Sequence, residues 1–283
     1  GAWHGLFRTV RRVMHAPLGA LGLFLVVFVL VSAIGADWWS THEPNQINVR
    51  AAFASPSLEH FLGTDQLGRD IFSRVLIGGQ IALKVSLISI GVALLIGLAL
   101  GLIAGFGPRW IDNILMLLFD SVRSFPTVMF ALAVVTLFGP SLETIMIIVI
   151  VTQIPIYGRM VRSQTLALKN SEFILTEQAI GAGFFRIIFV HMLPNVIGPL
   201  LILASMDIPF VITIEAGLSF LGMGVRPPTP SWGTILNDGY SYIYNSPWPV
   251  IAGDIPVVLT TLGFTFLGES LRDVFDPKLR KDA

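Results

Sequence analysis

The chain has 283 residues, no cysteine and a formal net charge of zero, and it is 54% hydrophobic with only 13% charged residues. Soluble domains carry about 25% charged residues, so this composition excludes an ordinary soluble globule, and zero net charge gives no general attraction to a polyanion such as nucleic acid. The lack of cysteine excludes a disulfide framework and a thiolate metal site.

The apolar excess comes in blocks near 20 residues long, the length a helix needs to cross a hydrocarbon layer of roughly 30 Å. Six blocks predict an all-α membrane protein with six transmembrane helices, at 17–36, 83–106, 112–138, 141–160, 196–222 and 249–270. The first block follows Arg8, Arg11 and Arg12, a pattern shared with signal peptides. It is long and lacks a clean small-x-small cleavage site, so it reads as an uncleaved first span. Gly97, Gly101 and Gly105 repeat at G-x-x-x-G spacing in the second block, which allows close helix approach within the chain or to a partner. The third block contains Phe125-Pro126; the fifth contains Pro199 and Pro209.

Lysine and arginine set the orientation. The N-terminus has Arg8, Arg11 and Arg12, the 159–186 segment has Arg159, Arg162, Lys169 and Arg186, and the C-terminus has Arg272, Lys278, Arg280 and Lys281. The 139–143 connection has none and the 223–248 connection only Arg226. Both termini and the 159–186 segment are therefore expected in the cytoplasm, and residues 37–80 and 223–248 outside.

The stretch SEFILTEQAIGAGFFRIIFVHMLPN, residues 171–195, is polar and glycine-broken between two apolar blocks. Ser171 suits an N-cap. A short helix from Glu172 to about Ile180 would stop at Gly181-Ala182-Gly183, since glycine accepts a positive φ. A second, from Phe184 to about Met192, would end at Pro194. Phe184 and Phe185 beside the turn either fill a partner's groove or lie on lipid headgroups.

Ionisable groups inside spans are costly and face a cavity or a partner. Asp120 and Arg123 are one turn apart and suit an i, i+3 pair. Asp207 and Glu215 lie on faces only about 80° apart. These four residues are the candidates for a translocation path, against a structural ion pair for the first two. Thr64, Asp65, Arg69 and Asp70 precede the second span, and Asp70 with Arg74 suits an i, i+4 pair on a surface helix. Pro227, Pro228 and Pro230 predict a rigid turn before a short helix. Trp232, Tyr240, Tyr242, Tyr244 and Trp248 suit an interfacial aromatic belt or a substrate gate. His4, His15, His42, His60 and His191 are scattered without a metal-ligand spacing. No phosphate loop, G-x-S-x-G elbow or H-E-x-x-H occurs, so the chain is expected not to be an enzyme.

Five stretches together resemble the permease subunits of dipeptide- and oligopeptide-type ABC importers, and in particular the second permease of the pair. The 171–195 stretch is similar to the family's cytoplasmic coupling loop, with its glycine at Gly181, followed by Ala182, and its Leu-Pro at Leu193-Pro194. The family's Glu-Ala-Ala falls on Leu175-Thr176-Glu177, so the leading glutamate is missing. FLGTDQLGRDIFSRVLIGG (61–79), DSVRSFP (120–126), EAGLSFLGMGVRPPTPSWGTILNDG (215–239) and LRDVFDPKLR (271–280) resemble other parts of the same family.

The resemblance implies a type I ABC importer-like fold. Its parts would be a cytoplasmic N-terminal segment 1–16, a first span and outward loop 17–80, a transmembrane core 81–272 with coupling loop 162–194, and a cytoplasmic tail 273–283. It implies an ATPase-coupling surface of Glu172, Glu177, Gly181, Ala182, Gly183, Phe184, Phe185, Arg186, Leu193 and Pro194. It implies partners too: a homologous second permease, two ABC ATPase subunits that hold ATP and Mg, and an extracytoplasmic substrate-binding protein, in a plasma (inner) membrane. No cofactor is expected on this chain. Peptides are the implied cargo, with nickel chelates or glutathione-like compounds as the alternative. A self-sufficient secondary transporter would show an inverted repeat, and none is visible. An intramembrane enzyme would have only Asp120, Asp207 and Glu215 to work with, and no nucleophile.

Overall fold

The computed structural model describes residues 13–275. Arg8, Arg11 and Arg12, and Lys278, Arg280 and Lys281, on which part of the orientation rests, lie outside the described residues, as does most of the proposed tail. The described residues are helical apart from connecting loops and one isolated antiparallel bridge between Thr64 and Asp70.

The helices in order are α1 (Pro17–Ile34), α2 (Ala36–Trp39), α3 (Ile71–Phe106), α4 (Arg109–Ser124), α5 (Thr127–Phe138), α6 (Leu142–Lys169), α7 (Glu172–Ala179), α8 (Phe184–Phe220), α9 (Trp232–Ser241) and α10 (Trp248–Phe275). Among them α1, α3, α6, α8 and α10 are long and apolar enough to cross a membrane, and α4 with α5 makes a sixth span if the bent pair counts as one.

That pair stands where the sequence predicts a single third span at 112–138. α4 and α5 meet at 89°. Pro126 has no N–H to continue a helix and pushes its predecessor out of the helical region; Phe125 is accordingly extended, at φ −87° and ψ 133°. α3 also begins twelve residues before the apolar block, because residues 71–82 are helical but too polar to read as membrane. Asp70 starts it by accepting the Ser73 N–H at 2.8 Å, an N-cap bond.

The chain divides into two compact units. The first holds residues up to Leu87, Val135–Ile145 and everything from Met206. Here α1 and α10 approach closely: a Cβ on Gly22 would lie 2.6 Å from the Leu267 amide nitrogen, and one on Gly263 2.9 Å from the Leu25 Cβ. α9 is closed by a capping box between Ser231 and Thr234. Its first residue, Trp232, is only 2% exposed. It packs with Val29, Ala82 and Ile212 and donates its Nε1–H to the Val75 carbonyl at 2.9 Å. Trp232 is therefore a core residue and not part of an interfacial belt; Tyr240, Tyr242 and Tyr244 are exposed.

The second unit holds Ile88–Val134 and Met146–Ser205. Its centre is the contact of α3 with α6. A Cβ on Gly97 would lie 2.7 Å from the Tyr157 Cβ, one on Gly101 2.6 Å from the Gly158 carbonyl oxygen, and one on Gly105 2.6 Å from the Thr165 Cβ. The G-x-x-x-G series thus serves packing within the chain. On the other side of Gly158 sits Phe119 of α4, 2.5 Å from where a Cβ would stand.

Gly101→Ala should cost about 1–3 kcal/mol from overpacking, whereas Gly91→Ala in the same helix meets nothing within 4 Å and should be neutral or gain up to ~1 kcal/mol from helix propensity. Thermal unfolding in detergent checks the pair, with the melting point lowered only for Gly101→Ala.

Candidate functional site

The 171–195 stretch lies in the second unit. Ser171 occupies the N-cap position of α7, with extended backbone, but its hydroxyl donates backwards to the Leu168 carbonyl at 2.6 Å instead of accepting from the helix. α7 buries Ile174 and closes at Gly181, whose φ is +86°. The turn is held by Gly181 N–H to the Gln178 carbonyl (3.0 Å) and Ala182 N–H to the Glu177 carbonyl (2.9 Å). A Cβ on Gly181 would meet nothing within 4 Å, so glycine is required there for its backbone angle and not for space. Gly183 stands at the N-cap of the helix that follows.

That helix differs from expectation. It does not end at Pro194 but runs from Phe184 straight into the fifth span as α8. Residues Ile187–Met192 form a π-helical turn, after which Leu193 resumes the α-helix. A proline inside an α-helix leaves the carbonyl four residues back without a donor. The wider π turn just before Pro194 changes the bonding register at that point. The expected helix-turn-helix is thus one short helix, a glycine turn and the first turns of a span.

The surface carried by this arrangement is apolar. Phe184, Phe185, Phe189 and Val190 are all more than half exposed, and Ile180 is 74% exposed. Phe184 packs edge-on against Phe106 and against Phe185, and Phe185 stacks on Phe189. Lys169 lies over the Phe106 ring at 5.2 Å and donates to the Phe106 carbonyl at 3.2 Å. A cavity of about 540 Å³, lined by Phe106, Phe184, Phe185, Phe189, Leu102 and Leu193 among others, opens beside these rings. Glu177 faces His191 Nε2 at 3.5 Å and Arg186 Nε at 4.0 Å. Glu172 is exposed in the first turn of α7.

Of the four charged candidates inside spans, Asp120 and Arg123 belong to the second unit, and Asp207 and Glu215 to the first. Asp120 pairs with Arg159 of α6 and not with Arg123. Asp112, eight residues earlier, pairs with Arg162, with a 2.6 Å bond from Nη2 to Oδ2. Sequence reading missed this double clasp of α4 to α6, although the spacing of the two acids and of the two arginines puts each set on one helix face. Arg123 is exposed, and Asp207 is half-buried in the first unit. Glu215 is wholly buried. It accepts from Ser219 Oγ at 2.8 Å, and Ser219 Oγ in turn accepts from the Val225 N–H at 3.2 Å. Glu215 therefore ties the end of α8 to the following loop and presents no open face.

In the first unit, the segment before α3 is a tight polar knot. Asp65 accepts from the Leu67 and Arg69 N–H groups (2.9 and 3.0 Å) and from Arg69 Nε (2.6 Å). Arg69 also donates to Asp238 at 3.1 Å. Arg74 donates to the Pro44 carbonyl and to Asn45 Oδ1, and its Nε lies 3.8 Å from Asp65. The expected Asp70–Arg74 side-chain pair does not form, because Asp70 is engaged by Ser73 and His60. His42, His60 and Asp70, which the sequence reading left apart, are brought together by this knot.

Residues 97–281 match the family described as "Binding-protein-dependent transport system inner membrane component". The chain is similar to a dipeptide transport system permease protein of Alkalihalophilus pseudofirmus, 36% identical over 278 residues, which covers 98% of this chain and 90% of that one. It is also similar to a glutathione transport system permease protein of Pectobacterium atrosepticum, 37% identical over 279 residues, covering 98% and 92%. Among solved structures, a chain of the inward-facing MetNI methionine ABC transporter matches with a TM-score of 0.57 at 18% identity, over 72% of this chain and 97% of that chain. That likeness bears on the fold alone.

Asp65 is buried against two arginines that are 7% and 4% exposed. Asp65→Ala should therefore destabilise by about 3–5 kcal/mol, the cost of stranding buried charge. Asp120→Ala removes an exposed pair and should cost no more than about 1 kcal/mol. Melting of the two variants side by side checks both.

Proposed function

We propose a function that starts from the family: this chain belongs to the binding-protein-dependent transport system inner membrane components. It is a multi-pass transmembrane permease subunit of an ATP-driven importer, in the inner membrane. The finer reading is that it joins a homologous second permease to enclose the path. Two separate ATPase subunits hold ATP and Mg and carry out hydrolysis, and an extracytoplasmic protein delivers the cargo. Peptides or related small solutes are the cargo, a reading supported by the dipeptide and glutathione permeases among its relatives. Both termini and the 171–192 loop face the cytoplasm.

The observation that carries the coupling role is the exposed aromatic surface of Phe184, Phe185 and Phe189 directly after the Gly181 turn. Exposed rings on a rigid stem suit a partner's groove. The stem is the start of α8, a helix that continues without a break to Phe220, so movement imposed on the rings passes into a span. ATP binding that closes the ATPases favours the outward-open state through its higher affinity for that state, and hydrolysis restores the inward-open one. Glu177 lies near Arg186 and His191 within the loop, and Glu172 is the acid exposed for the partner. Of the four charged candidates, Asp120, Arg123 and Asp207 are assigned to the path or its gate, and Glu215 to holding the end of α8.

Gly181→Val forces a β-branched residue to a positive φ, a strain of about 1–3 kcal/mol. We expect it to abolish ATP-driven uptake of a dipeptide by cells carrying the whole transporter, with the chain still present in the membrane at its normal level. Gly181→Asn, which tolerates that backbone region, should retain much more transport. Normal uptake by Gly181→Val would remove the basis for the coupling role.

A further inference from the structure

In the loop before α3, the fold assembles a set of metal-ligating side chains from positions far apart in sequence. His60 Nδ1 lies 2.9 Å and His42 Nδ1 3.8 Å from Asp70 Oδ1. The two imidazole rings are tilted over one another with centroids 4.6 Å apart, and one donor atom from each of the three residues falls within 4.8 Å of the others. We propose that His42, His60 and Asp70 bind a divalent first-row transition metal ion of the zinc class.

The donor set suits that class, since imidazole and carboxylate together favour such ions over calcium or magnesium. The distances suit it too. Tetrahedral coordination at bond lengths of about 2.0–2.1 Å places neighbouring donors roughly 3.3 Å apart; the two imidazole–carboxylate separations, 2.9 and 3.8 Å, bracket that value, and the third donor pair lies within 4.8 Å. The Asp70 carboxylate is also held from behind, as ligating carboxylates generally are, and the backbone of each histidine is anchored. The second oxygen of Asp70 accepts from the Ser73 N–H (2.8 Å), Ser73 Oγ (2.7 Å) and Thr41 Oγ1 (3.3 Å), which leaves Oδ1 turned towards the imidazoles. The backbone N–H of His42 donates to Ser73 Oγ at 3.1 Å, and that of His60 to Ser57 Oγ at 3.1 Å. Asp70 and His60 are buried, whereas the His42 side chain is 32% exposed, so one side is open to a further ligand. On that side lies a cavity of about 80 Å³ whose wall includes Glu43 and Glu59 and no lysine or arginine.

Binding replaces the proton shared by His60 Nδ1 and Asp70 Oδ1, which leaves to solvent. The ion then fastens the segment after α2, through His42, and the turn at His60 to the residue that caps α3. Its effect is to stiffen the loop that the orientation places outside the membrane, and it is independent of the cargo and of the coupling surface.

The test uses the full chain, purified with its partner subunits, stripped with a chelator and titrated with Zn²⁺ by calorimetry and by thermal melting. The expected result is one saturable equivalent per chain with a raised melting temperature. His42→Ala, which alters a half-exposed side chain and leaves the Asp70 cap intact, should weaken binding at least about tenfold, the minimum seen on losing even an outer-shell partner. His60→Gln should do the same. Absence of saturable binding overturns the proposal. So does binding that neither variant weakens, since the ion would then sit elsewhere on the complex.

Discussion

The close contact of α3 with α6 around Gly158 is the constraint on which the second unit depends. Gly97, Gly101 and Gly105 bring one backbone against Tyr157, Gly158, Val161 and Thr165 of the other, with no room for a single added carbon at any of the three glycines. In a membrane, apolar side chains gain little by leaving lipid for protein, so dense packing of small residues has to supply the attraction. The same Gly158 receives Phe119, and the Asp112–Arg162 and Asp120–Arg159 pairs join the same two helices. α4 is thus clamped to α6, and Lys169, at the end of α6, reaches the Phe106 carbonyl and ring. Phe106 in turn packs against Phe184. The aromatic surface after the glycine turn therefore rests on a stack that begins with three small residues in a transmembrane helix.

The first unit is organised by different physics. Its helices pack through α1 against α10 and through buried Trp232, but the segment before α3 is held by charge. Asp65, Arg69, Arg74 and Asp238 are bonded to one another and to backbone groups, so each buried charge has a partner. Such a knot is costly to disturb and gives a defined shape to a loop with little apolar material. Glu215 does a similar thing at the end of α8, where its carboxylate, Ser219 and the Val225 N–H form a short chain of hydrogen bonds.

Much of this was legible in the sequence, and the failures have common causes. The apolar blocks were readable because a bilayer sets a length that sequence must match. The turn at Gly181 was readable because Gly181-Ala182-Gly183 interrupts a short polar helical stretch just before an aromatic pair. The break at Pro126 was signalled by the proline itself, but its sharpness was not. The proline at 194 misled, because a π turn can absorb one and a residue list does not show it. Asp120 and Asp70 were each assigned to a neighbour one turn away, and both went to partners on other segments, Arg159 and His60. Local spacing describes an isolated helix surface, and a packed one offers competitors from farther along the chain. Trp232 and Glu215 were assigned exposed roles for the same reason: burial is decided by contacts across the fold. The His42–His60–Asp70 set had no sequence signature, since it forms only when the knot closes.

The proposed role makes this permease dependent on other chains for its energy. Gentle extraction of the chain from its native membrane, followed by mass-spectrometric identification of what accompanies it, decides whether that dependence exists. Two ATPase subunits and a second, homologous permease are expected in stoichiometric amounts. A chain that emerges alone and carries solute after reconstitution without ATP would contradict that dependence.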